Sequence, residues 1–268
     1  MYRFLLTSRW LGLLALALTA AAVMGMLGNW QLKRYQERSA INDRIDANST
    51  AAPVPLTEVL PAAGTSRATA GPPPPEGAEY TRVTVTGRYD DDHIVLVRGR
   101  TVNGRVGFEV LAPLVLDDGS AVLVDRGWVP APGEATSQPQ IPPAPAGEVT
   151  VVGLVRLPES RTDRISRRDG RLETRRIAVP DLARHLPYPV YGGYLLLREQ
   201  DPPADPAFTT IPVGHENNWQ NGIYALQWWL FALMTLVGFG WLAHREAHDR
   251  RREDTSRDAR AASATLPS

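Results

Sequence analysis

The chain has 268 residues, 29 lysines and arginines against 29 aspartates and glutamates, and no cysteine. Balanced charge excludes the overall basic field that points to nucleic acid. The missing thiol excludes disulfides, thiolate metal sites, iron-sulfur clusters, cysteine nucleophiles and covalent c-type haem attachment.

In chain order, the first element is an apolar stretch from Trp10 to Gly28 that contains no charged side chain. At ~1.5 Å per helical residue it is long enough to cross a hydrocarbon core of ~30 Å. Two readings of it stand. It is an uncleaved anchor, or a signal peptide with Arg3 and Arg9 as its basic region and Ala20-Ala21-Ala22 as a cleavage site. Continuation of the apolar run through Val23, Met24, Met26 and Leu27 favours the anchor. Ala17, Ala21 and Gly25 place small residues on one helical face, which suits close approach of another helix.

Gln31 to Asn48 is polar with Leu32, Tyr35, Ile41 and Ile45 interspersed, the pattern of a helix continuing beyond the span. Ser49 to Glu79 is rich in proline and alanine and reads as a linker or as an extended wrap over the following domain. From Tyr80 the period changes to two, with Val83, Val85 and Gly87 alternating with Arg82, Thr84, Thr86 and Arg88, and Ile94 and Leu96 repeating it. Phe108–Leu116 and Ala121–Val129, joined by Asp117-Asp118-Gly119, predict a hairpin. Pro130 to Gly147 is a second proline-rich loop, and Glu148 to Leu157 a further strand. Arg161 to Arg176 is dense in arginine and reads as a solvated loop, or as a face toward anionic lipid or an acidic partner. Pro180 to Leu186 predicts a short helix with proline in its first turn, and Tyr191 to Arg198 the last strand.

A second charge-free apolar stretch runs from Ile223 to Ala243. Arg245, Arg250, Arg251 and Arg252 follow it, whereas Glu199 to Gly222 before it holds no lysine or arginine, which puts the carboxyl end in the cytoplasm. With two spans the amino end is cytoplasmic too, although Lys33, Arg34 and Arg38 after the first span argue less clearly. The expected protein is a multi-pass protein of the cell membrane. Two transmembrane α-helices flank an extracytoplasmic α+β domain, mostly antiparallel β, as a sheet or partly open barrel. The expected division is a tail 1–9, span 10–30, helical exit and linker 31–79, β-rich domain 80–200, linker 201–221, span 222–243 and charged tail 244–268.

No catalytic constellation emerges. The five histidines, His93, His185, His215, His244 and His248, offer no metal-ligand spacing such as a pair in one turn facing a span. Phosphate-binding glycine loops, dinucleotide fingerprints and nucleophile elbows are absent from the sequence. Asp90-Asp91-Asp92 is a carboxylate cluster at an expected turn, with a cation site as its sharper reading. Two segments at the outer interface are more specific: Leu27-Gly28-Asn29-Trp30-Gln31-Leu32-Lys33-Arg34 and Asn221-Gly222-Ile223-Tyr224-Ala225-Leu226-Gln227-Trp228-Trp229. Interface anchoring by aromatic and basic side chains accounts for much of both. Gln227 lies inside the span and is expected to find a hydrogen-bond partner on another helix. Asn221, Tyr224 and Trp228 share one face.

These segments carry a resemblance. Arg9-Trp10, the 27–34 segment, Arg82-Val83-Thr84-Val85-Thr86-Gly87-Arg88-Tyr89 and Gly107-Phe108-Glu109-Val110 occur in order. Val122-Leu123-Val124-Asp125-Arg126-Gly127-Trp128-Val129-Pro130, Val152-Gly153-Leu154-Val155-Arg156, Tyr191-Gly192-Gly193-Tyr194-Leu195 and Tyr224-Ala225-Leu226-Gln227-Trp228-Trp229 complete them. Together they resemble the Surfeit-locus-one family of cytochrome c oxidase assembly factors. The resemblance implies a non-enzymatic helper that assists haem a insertion or maturation of the large oxidase subunit. The implied partners are that subunit, other assembly factors and membrane lipid, with no nucleic acid. Some bacterial members bind haem a through a histidine three residues before the tyrosine of the second-span motif; here that position is Asn221. Asparagine is a poor axial ligand for iron, so His215, six residues upstream, is the nearest replacement and Tyr224 a weaker one. Trp30, Tyr224, Trp228 and Trp229 are candidates to flank a macrocycle, with Lys33, Arg34 and Arg126 toward its propionates. The alternative is a cofactor-free membrane scaffold for a respiratory complex.

Overall fold

A computed structural model describes residues 3–49, 51–133, 138–160, 163–215 and 217–264. Arg161 at the head of the arginine-rich stretch, Glu216 in the second linker, 134–137 in the proline-rich loop, and 1–2 and 265–268 of the tails lie outside the described residues. The chain separates into two units, one of 43–214 and one of 1–42 with 215–268.

In the first unit, the alternation after Tyr80 becomes β2 (Arg82–Tyr89), followed by β3 (Val95–Val102), β4 (Arg105–Val115) and β5 (Ala121–Pro130). Then come β6 (Val149–Arg156), a small hairpin of β7 (Ser166–Arg168) and β8 (Arg171–Thr174), helix α3 (Val179–Ala183) and β9 (Val190–Asp201). Ahead of them, β1 (Val54–Pro55) and α2 (Leu56–Val59) belong to the proline-rich segment. That segment is a wrap: β1 adds to β2, and Leu56 and Leu60 are buried in the core.

The strands form one mixed sheet in the order β1-β2-β6-β9-β5-β4-β3-β8-β7. A further pairing of β2 with β4, Arg88 opposite Val115 and Tyr89 opposite Leu114, closes five of them into a ring. Val83, Val85, Leu114, Val124, Val151 and Leu195 of the ring share one apolar cluster. Alternate residues such as Leu111, Leu123 and Tyr194 join a second cluster under Leu172, Val179 and Leu182. Alternation with a period of two thus apolarises both faces of β4, β5 and β9.

The sheet is mostly antiparallel as expected, in six of its nine pairings among the described residues, while β1–β2, β3–β8 and β5–β9 are parallel and make it mixed. A parallel neighbour needs a long crossover, and 131–189 supplies it for β5 and β9. Half of the arginine-rich loop is also sheet. Leu172, Glu173 and Thr174 are buried beside β3, while the β7 edge with Arg167 and Arg168, and Arg164, Arg175 and Arg176 outside the strands, are exposed.

The second unit is a pair of long helices, α1 (Ser8–Ser49, whose last turns from Asp43 belong to the first unit) and α4 (Trp219–Ala264). Their apolar windows are only 11% and 6% buried, so nearly all of that apolar surface faces outward. Trp10 packs on Ala243 and Ala247 at one end of the pair, while Asn218 Nδ2 donates to Ser39 Oγ at 2.7 Å at the other. The helices therefore run antiparallel. Contrary to the expectation that the histidines offer no pair in one turn, His244 and His248 meet edge to face one turn apart on α4, with ring centroids 5.1 Å apart.

Candidate functional site

The helix pair brings the two specific segments to one level. The backbone of Gly28 on α1 lies directly against the Trp229 indole, where any Cβ would overlap it. About two turns further along, Gly222 on α4 faces the Tyr35 ring, its Cβ position 3.4 Å away. Glycine at both points lets an aromatic side chain from the other helix fill the space between the axes. Ala17 of the small-residue stripe is buried, with Ala21 and Gly25 half-buried. Beyond the stripe, Arg38 donates to the Asn217 carbonyl at 2.8 Å.

Each candidate side chain has a definite place. Trp30 is 55% exposed with the Arg34 guanidinium 5.9 Å above its ring, and Arg34 lies 3.7 Å from Glu37. Tyr224 is half exposed on α4, and Trp228, one turn later, meets Phe231 edge to face at 6.2 Å. Asn221 closes the first turn of α4, donating its backbone N–H to Asn218 at 3.0 Å. His215 is an exposed residue ahead of that turn. Gln227 does not meet the expectation of an interhelical partner: its side chain is exposed on α4. The buried amide is instead Gln31, whose Oε1 accepts no hydrogen bond among the described residues.

Arg126 belongs to a different environment and is removed from the propionate set. Its side chain is wholly buried in the β unit, 5.1 Å from the Tyr89 ring and 4.8 Å from the Phe208 ring. It donates to the Pro142 and Pro143 carbonyls at 3.3 and 3.1 Å. Burial lowers its affinity for the proton, opposed by Tyr89. The neighbouring carboxylates are equally committed. Asp90 caps the Asp92 N–H at 3.0 Å, and its second oxygen meets His93 Nδ1 at 2.8 Å and the Tyr188 hydroxyl at 3.2 Å. Among the described residues no three metal-ligating side chains converge.

Sequence reading missed a polar cluster behind β4, β5, β6 and β9. Arg100, Glu109, Asp125, Arg156, Glu159 and Tyr194 line a cavity of about 150 Å3 there. Arg100 Nε lies 3.0 Å from Glu109, its Nη2 pairs with Glu159, and its carbonyl accepts from the Trp128 indole at 3.0 Å. Asp125 accepts from the Gly127 N–H at 3.2 Å. Burial, then the nearby Glu109 charge, hold the Asp125 carboxyl well above the usual range; burial also raises Glu109 and the Tyr194 hydroxyl. The available signal was charge at regular positions inside apolar strands, as in Val124-Asp125-Arg126 and Phe108-Glu109-Val110.

A raised carboxyl has a definite sign. The folded chain holds a proton that the unfolded chain has released, so this contribution is full below the unfolded carboxylate value of ~3.9 and is lost as pH rises through the folded value. Asp125→Asn keeps the acceptor for Gly127 and cannot ionise. It is expected to be more stable than the parent at pH 8 by about 1 kcal/mol or more, and to converge with it at pH 4. Urea midpoints at the two pH values measure the difference; equal gaps at both would refute an ionising Asp125.

Comparison with known proteins follows the same segments. The profile of the SURF1 family matches residues 18–233, which takes in both helix segments and every strand. A SURF1-like protein of Mycobacterium tuberculosis is 34% identical over 256 residues, covering 93% of this chain and 89% of that protein. Surfeit locus protein 1 of Takifugu rubripes is 32% identical over 162 residues, 54% of this chain and 62% of the fish protein. Cytochrome oxidase assembly protein SHY1 of Saccharomyces cerevisiae is 29% identical over 104 residues, 38% of this chain and 24% of the yeast protein.

Proposed function

The chain belongs to the SURF1 family, and from that membership we propose that it is a membrane-anchored, non-enzymatic assembly factor for the haem-copper cytochrome c oxidase. The observation that carries the reading is the 18–233 match, joined to the yeast relative's being named a cytochrome oxidase assembly protein. Two apolar helices of sufficient length support a two-span anchor in the cell membrane. The arginines after the second span support cytoplasmic termini and an extracytoplasmic β unit. The outward apolar surface of the helix pair is then where lipid and the helices of the large oxidase subunit compete for contact. The β unit is the surface for other assembly factors.

Haem a is the cofactor that the resemblance implies. The donors on α4 do not fit an imidazole-ligated haem, because Asn221 occupies the histidine position. Maturation of the large subunit by direct contact is therefore the reading the residues support best. Asn221→His is expected to give the detergent-purified chain, made in a host that synthesises haem a, a visible haem band that the parent lacks. A band in the parent that disappears in His215→Ala would instead make His215 the ligand.

Deletion of the gene tests the wider proposal. Oxidase spectra and activity are expected to fall at least about tenfold while total extracted haem a stays unchanged, a loss of assembly rather than of cofactor synthesis. A fully active oxidase in the deletion strain would overturn it.

A further inference from the structure

Three arginines share the outer face of β2, β6 and β9. Register places Arg82 opposite Leu154 and Leu154 opposite Leu196, and Arg156 and Arg198 follow two positions along on the same face. A groove of about 490 Å3 opens over this face, walled by Ile45, Tyr80, Leu154, Pro212 and Val213, with Arg82, Arg198 and Glu199 also lining it. That volume falls in the range of sites for small organic molecules.

Two of these three charges are paired with carboxylates, whereas Arg198 has no carboxylate within ion-pair distance among the described residues. Arg82 meets Glu199 at 2.7 Å, but the Glu199 side chain is 67% exposed. Arg156 lies 3.6 Å from Glu79 and 4.7 Å over the Tyr80 ring. Arg198 donates Nη1 to the Ile211 carbonyl at 3.0 Å, a neutral acceptor. Burial, and after it repulsion from Arg156, lower the proton affinity of Arg198, the sign of a cation short of negative charge. Tyr80 itself is held at φ +68°, a left-handed conformation uncommon for a bulky residue, with its ring over Arg156.

We infer that this groove binds a small amphipathic organic anion, a single carboxylate or phosphate on an apolar body. The charged head sits between Arg198 and Arg82, where planar guanidinium groups bind such oxygens through paired N–H donors. The body lies along Leu154, Ile45 and Val213. The inference rests on the β unit alone and stands or falls independently of oxidase assembly.

Calorimetric titration of the full chain in detergent tests it, with benzoate and phenyl phosphate as probes and benzyl alcohol and inorganic phosphate as controls. Saturable binding of one or both aromatic anions is expected, with inorganic phosphate weaker and benzyl alcohol inert. The tighter of benzoate and phenyl phosphate identifies the head group. Arg198→Gln is expected to weaken that probe about tenfold, the scale of one charge-assisted contact. Val213→Asp adds a repelling charge at the half-buried wall outside the strands, and is expected to weaken both anions as well. Thermal melting beside each variant establishes that it is folded. Absence of saturation for both anions, or affinity unchanged in the folded variants, overturns the site.

Discussion

Gly192→Ala is expected to cost the β unit about 3 kcal/mol, a fall in melting temperature of roughly 6–12 °C. A Cβ at this position would overlap the Pro72 carbonyl oxygen and lie 2.5 Å from the Gly71 oxygen. Both are backbone atoms of the wrap, which cannot rotate away as a side chain can. The same wrap is fastened to β9 by a bridge from Ala70 to Val190 and by the Gly71 N–H donating to the Val190 carbonyl at 2.8 Å. Relief of the overlap therefore requires the wrap to leave the sheet, with loss of the burial of Leu56 and Leu60 further along it. Gly77→Ala is the control, because a Cβ there meets nothing within 4 Å. Thermal unfolding of the two variants side by side gives the comparison; an unshifted Gly192→Ala would mean that the wrap is not docked on β9.

Arg126→Ala is expected to cost a similar amount, about 3 kcal/mol, by a different route. Its guanidinium lies between two aromatic rings and satisfies two proline carbonyls that have no backbone N–H of their own to offer in return. Truncation leaves a cavity under Tyr89 and Phe208 and two acceptors without this donor. Arg126→Met refills the volume without the charge, so it is expected to recover about half of the loss. Limited proteolysis supplies the structural readout. The 130–147 loop, which Arg126 fastens, should be cut faster in the alanine variant than in the parent. Equal cutting in both would show that the loop is held elsewhere.

What the sequence disclosed of this fold was local. Asp117-Asp118-Gly119 between two apolar runs specified the β4–β5 hairpin, since the turn chemistry and the flanking strands lie within one short window. The helix exit after Gly28 was legible because a period of 3.6 persists past the apolar stretch. The parallel partnership of β5 with β9 was not legible, because it joins residues some 70 positions apart and both strands are apolar on both faces. Arginine density hid β8, where Leu172 and Thr174 alone carry the inward pattern. For the candidate site, the two motifs predicted the level at which the helices meet, and Gly28 and Gly222 made the contact. Composition could not say that Gln227 would face outward or that Arg126 would be enclosed, because both depend on which neighbours arrive from distant parts of the chain.

The position of β9 bears on the order in which the chain can become a protein. It is the last strand to leave the ribosome, yet it lies between β6 and β5 in the middle of the sheet. Until residues 190–201 have emerged, β1-β2-β6 and β5-β4-β3-β8-β7 are two incomplete leaves joined by the pairing of Arg88 and Tyr89 with Val115 and Leu114. Each leaf has a hydrophobic edge where β9 will go, an invitation to wrong partners. A nascent chain halted before Val190 cannot complete its core, whereas one halted after Asp201 has every strand it needs before α4 is made.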